Sequence, residues 1–124
     1  MGTREVPRDG WKSFFDAFSR EHEGWIATVE LLASEIGDQD ESTRLPLVGV
    51  SADVKEASRI DVIVGGRPDA HVTHVIDGPE RVWITEREDG ILDALEIEAD
   101  DGKRTIVSFR RVSPVQADRQ LPSR

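Results

Sequence analysis

At Gly24 the apolar periodicity of this chain changes from 3.6 to 2, and it does not change back. Before that point Trp11, Phe14, Phe15 and Phe18 recur at i, i+3, i+4 and i+7. This is the single apolar stripe of an α-helix, with Lys12, Ser13, Asp16, Ser19 and Arg20 on its other sides. The spacing predicts a helix over about residues 10–22. Asp9 is its expected N-cap, and Gly24 fits the left-handed position past its end. Every member of the stripe is a large aromatic, so the helix is expected to lie as a lid over an apolar sheet face.

Beyond Gly24 short alternating runs follow one another with no second helical pattern. Strands are predicted at Trp25–Ala33, Leu45–Ala52, Arg59–Val64, His71–Asp77, Arg81–Arg87, Ile91–Ala99 and Arg104–Arg110. Asp89-Gly90 and Asp101-Gly102 supply the positive φ angles of tight hairpins, and Gly65-Gly66-Arg67-Pro68-Asp69 reads as a turn cluster. Strands joined this closely must pair antiparallel. The expected fold class is therefore α+β, mainly β: one N-terminal helix and about seven antiparallel strands in a small, partly open barrel or curled sheet. Residues 1–9 are read as an N-terminal arm, 10–111 as the single domain, and 112–124 as a flexible basic tail. Ser34–Arg44, with Glu35, Asp38, Asp40 and Glu41, is read as a long polar loop.

Composition narrows the chemistry. A chain of 124 residues buries roughly two-thirds of its extended surface, enough for an ordinary core without staples. With no cysteine there is no disulfide, thiolate nucleophile or sulfur-ligated metal. No apolar run approaches the roughly 20 residues that span a bilayer. No leader pattern is visible near Met1, and a cytoplasmic location without membrane attachment is expected. The net charge is −9, but residues 110–124 carry four arginines and one aspartate, a net of +3, which leaves −12 on residues 1–109. Residues 80–101 alone hold nine acids against Arg81 and Arg87. That density argues against nucleic acid, whose phosphates it would repel.

The motifs that resemble chemistry fail on spacing. His71 and His74 are three apart on a predicted strand, which sends their imidazoles to opposite faces. His22 near the helix end is explained by the dipole. Asp38, Asp40 and Ser42 imitate the opening of a calcium loop, but Thr43 stands where its glycine belongs and Gly49 where its bidentate glutamate belongs. Glu96 and Glu98, with Asp93 upstream, alternate with Leu95 and Ile97 and read as the wet face of a half-buried strand. Gly49-Val50-Ser51 lacks the second glycine and the following helix of a nucleophile elbow. No catalytic, cofactor-binding or metal-ligating residue is assigned, and no cofactor is expected. The remaining candidate is an interaction face of Arg81, Trp83 and Arg87, a tryptophan between arginines.

The run from Trp11 through Phe14, Phe15 and Phe18 to Gly24-Trp25, with the Leu45–Val50 and Ala94–Ile97 strands, resembles a small uncharacterised bacterial family, the domain of unknown function 5335 type. The resemblance spans about residues 10–110 and implies a bacterial, cytosolic, stand-alone domain, with no activity or site residue to carry over. The expected function is a non-enzymatic binding or protein-interaction module that meets a protein partner or another copy of itself. The alternative is a small-ligand-binding protein or enzyme with a pocket beneath the N-terminal helix near His71 and His74. An acidic face for a basic partner is a further possibility.

Overall fold

The computed structural model describes residues 2–33, 37–53, 58–87 and 92–110. The strands are β1 (Gly2–Val6), β2 (Ile26–Ala33), β3 (Gly37–Asp53), β4 (Arg59–Val64), β5 (Val72–Asp77), β6 (Pro79–Glu86), β7 (Leu92–Ala99) and β8 (Arg104–Arg110). One helix, α1 (Trp11–His22), follows a 3-10 turn at Arg8–Gly10. All pairings are antiparallel, in the order β1-β6-β7-β8-β2-β3-β4-β5, and the sheet does not close on itself. The class is α+β, mainly β. No helix among the described residues is long and apolar enough to cross a membrane.

β3 organises the molecule. Its first half pairs with β2 as far as Pro46, opposite Ile26, and its second half pairs with β4 from Leu47 to Asp53. Proline has no N–H to give a ladder, so it suits the point where the strand leaves one neighbour for another. The second half has thus lost β2 from one edge. Gly24 N–H donates to the Leu47 carbonyl (2.8 Å), and Leu47 N–H donates to Trp25 (2.8 Å). Three residues on, Ser19 of α1 takes over: its hydroxyl accepts the Val50 N–H at 2.8 Å and donates to the Val50 carbonyl at 3.0 Å. A helical side chain here stands in for a strand. Trp11, Phe15 and Phe18 follow the same helix into the core, where they meet Val50, Leu47 and Phe109. The core-facing residues of the sheet include Val29, Ile60, Val62, Val82, Leu95, Ile97 and Val107, all fully buried.

Three differences from the sequence reading have physical reasons. Residues 37–44, within the expected polar loop, are extended in β3 and form a ribbon with β2. Backbone pairing is indifferent to side-chain polarity, so a polar strand is stable where a neighbour supplies the ladder. The ribbon carries a bulge between Ala27 and Val29, beside which Arg44 adopts φ 56°. Residues 2–6, in the arm, form β1, paired with β6 from Gly2–Glu86 to Val6–Val82. Trp11 Nε1–H donates to the Val6 carbonyl at 2.9 Å and holds that strand to the helix. Asp9 is not the N-cap: Gly10 occupies that position with no side-chain cap, because Asp9 lies in the preceding 3-10 turn, where Gly10 N–H is bonded to Pro7. Gly24 has the expected positive φ of 87°. The tail at 112–124 lies outside the described residues.

Two substitutions test this frame by urea unfolding. Ser19→Ala leaves the Val50 amide and carbonyl without their partner and is expected to cost about 1–3 kcal/mol. Gly65 has φ 143°, and a Cβ there would sit 2.6 Å from the Ala70 carbonyl oxygen. Gly65→Ala is expected to cost about 3 kcal/mol or more, and Gly66→Ala, whose Cβ would meet the Pro46 ring at an ordinary 4.0 Å, about 0.5 kcal/mol or less.

Candidate functional site

Along β6, Val82 and Ile84 enter the core, and Arg81, Trp83 and Thr85 take the opposite, outer side. The ladder decides what surrounds the half-buried Trp83. Glu5 of β1 lies directly opposite on one side and Glu96 of β7 on the other. Directly opposed side chains have Cβ atoms about 4.5–5.5 Å apart, so both carboxylates are in reach of the indole. The next row places Arg81 opposite Glu98 and Glu98 opposite Arg104, and Arg104 Nη1 reaches back to Glu96 Oε2 at 3.3 Å. On the other side Thr3 and Thr85 share a hydroxyl contact of 3.1 Å.

Of the sequence-proposed face, Arg81 and Trp83 come together. Arg87 follows the last residue of β6 and is exposed beyond the ladder. Across the strands, the immediate neighbours of Trp83 are therefore carboxylates. Glu5 is the residue that sequence reasoning missed. Its place depends on β1 joining β6, a contact 78 residues apart in the chain (Glu5 to Trp83), and no local pattern announces it.

The expected pocket near the helix and the two histidines proves to be two separate places. One groove, of about 140 Å³, lies between α1, β1 and β6, with Phe14, Phe18 and Ile84 as its floor and Arg4, Glu21 and Glu86 on its rim. Its histidine is His22. The His22 Nδ1–H donates to the Phe18 carbonyl at 3.0 Å, and the ring stacks on Phe18 and meets Trp25 edge-on, each at 4.5 Å. Packing, beyond the helix dipole, thus accounts for this residue. His71 and His74 do not line this groove. His71 is exposed just ahead of β5, and His74 is half-buried within it, beside Thr73 and Thr105. Among the described residues no three His, Asp or Glu side chains converge as metal ligands. Glu96 and Glu98 are half-buried on the outer face, and Ser51 is exposed within β3. The backbone of Asp38–Ser42 is extended in β3 and does not form the turn of a calcium loop.

The model of the "Family of unknown function (DUF5335)" matches residues 2–119, which takes in the helix and all eight strands. The chain belongs to this family. An uncharacterized protein of Aquifex aeolicus (strain VF5) is similar to it, 30% identical over 115 residues, covering 93% of this chain and 98% of that protein. No solved structure matches. Neither relationship brings an activity to this DUF5335 member.

The tryptophans separate core from surface in a measurable way. Trp11 is fully buried and hydrogen-bonded, and Trp11→Ala is expected to cost about 3–5 kcal/mol. Trp83→Ala removes a half-buried ring from a solvated sheet face and is expected to cost about 1 kcal/mol. Chemical denaturation of the two variants checks the contrast.

Proposed function

We propose that this protein is a non-enzymatic interaction module that holds a basic segment of a partner protein on the outer face of its sheet. The observation that carries the reading is the position of Trp83, an aromatic platform between the carboxylates of Glu5 and Glu96 on a face that no other described element covers. An arginine or lysine laid over an indole face gains about 0.5–2 kcal/mol from the ring quadrupole. A carboxylate on either side adds charge-assisted hydrogen bonds to the same cation. Arg81 and Arg104 bound the patch and set where a second cation would be repelled, which gives the site direction as well as sign. The −12 carried by residues 1–109 attracts such a partner from a distance and raises its encounter rate.

A ligand pocket under the helix has less support. Small-molecule sites commonly enclose about 300–1,000 Å³, against about 140 Å³ in the groove under α1.

Titration of the purified chain with an arginine-rich peptide, followed by fluorescence polarisation of a label on the peptide, tests the proposal. Binding is expected to weaken at least about tenfold, or 1.4 kcal/mol, in both Trp83→Ala and Glu5→Lys. It is also expected to fall steeply as salt is raised. Equal binding by Trp83→Ala and the unaltered chain would overturn the site.

A further inference from the structure

The sheet has two edges, and they are guarded differently. β1 carries Arg4 and Glu5, charges that discourage another strand from pairing there. β5 has no Lys, Arg, Pro or carboxylate between Val72 and Ile76. Among the described residues the large apolar side chains that stand exposed are Val72, at 42%, and Val75, at 51%, both on this strand. Two adjoining hollows of about 220 Å³ each run beside it and share Leu31, Val75, Ile76 and Thr105. An extended chain laid along β5 would find an edge that no other described strand pairs and, beneath it, a trough lined by apolar and polar side chains alike, Asp77, Asp101 and Lys103 among them.

We infer that the occupant is β5 of a second copy, paired antiparallel about a two-fold axis through His74. Directly opposed residues of an antiparallel pair point to the same face, so the axis must pass through a residue and not between two. Three choices are central enough to pair most of the strand, and its own residues discriminate among them. Through His74, Val72 of one copy meets Ile76 of the other, Thr73 meets Val75, and His71 meets Asp77. That register makes two β-branched pairs and an imidazole–carboxylate pair, each formed twice. Through Thr73, pairing would stop at His71 opposite Val75, because Pro68–Ala70 is a 3-10 turn, and Ile76 and Asp77 would gain no strand partner. Through Val75, Thr73 would oppose Asp77 and His71 would oppose Pro79, so neither end gains a charge partner. One strand thus supplies both halves of a complementary pairing, which is what an isologous dimer requires. The surface lies at the opposite edge of the sheet from β1, so it is independent of the Trp83 reading.

One strand pair is a small interface, and the dimer is expected to be weak and reversible. Sedimentation of the full chain up to about 200 µM should show a monomer–dimer equilibrium. Val75→Lys is expected to weaken it at least about tenfold, and Thr73→Lys serves if the first variant loses its fold. His71→Asp sets two carboxylates opposite each other at both ends and should weaken it about 5–10-fold. The double variant His71→Asp/Asp77→Lys restores opposite charges and should recover most of that loss. A chain that stays monomeric over the whole range overturns the inference, as does a dimer indifferent to the lysine variants. Failure of the double variant to recover overturns the His74 register.

Discussion

The edge that β3 exposes after Pro46 is the constraint to which the other elements respond. A strand that changes partners midway leaves N–H and C=O groups without a ladder, and buried groups of that kind cost about 1–3 kcal/mol each when unpaired. Here the turn into β2 satisfies Leu47, and the Ser19 hydroxyl satisfies both polar groups of Val50. The helix must therefore lie close to β3, in one axial position. Once it does, Trp11, Phe15 and Phe18 have a single place to go, which is the hollow of the curled sheet. Arg8, one turn earlier, extends the same arrangement. Its guanidinium lies 4.9 Å from the centre of the Trp11 ring and donates to the Pro79 carbonyl and the Ser58 hydroxyl, tying the helix start to the corner between β5 and β6.

A helix spent on the inner side is not available to cover the outer one. The five strands β1, β6, β7, β8 and β2 consequently present a broad solvated face, and the residues on it are organised by the ladder in cross-strand rows. The row through Glu5, Trp83 and Glu96 combines an aromatic surface with negative charge. The row through Arg81, Glu98 and Arg104 alternates in sign and carries one more positive than negative charge. The same economy leaves β5 with β4 as its strand partner among the described residues, on an edge with little charge of its own. Both surfaces proposed to bind are those that the placement of α1 leaves open.

Much of this architecture was legible in the residues. The aromatic stripe announced α1, alternation announced the strands of β2, β4, β5, β6, β7 and β8, and Gly24 marked the helix end, because each signal is local and repeats within a few residues. β1 and the first half of β3 were not legible. Neither alternates apolar with polar residues, and each is a strand because a distant neighbour offers it a ladder. The patch around Trp83 was half legible for the same reason. Its own strand named Arg81 and Trp83, whereas Glu5 and Glu96 arrive from other strands by register.

The sequence by itself determined the class of fold, the acidic charge and the absence of sulfur chemistry, since these follow from period and composition. Only the tertiary structure decided that Trp83 lies between carboxylates, that the helix replaces a strand beside Val50, and that β5 and not β1 is the thinly guarded edge. Each of these depends on which segments become neighbours across the sheet. That choice is made by the free energy of the whole packing, and no short window of the chain contains it.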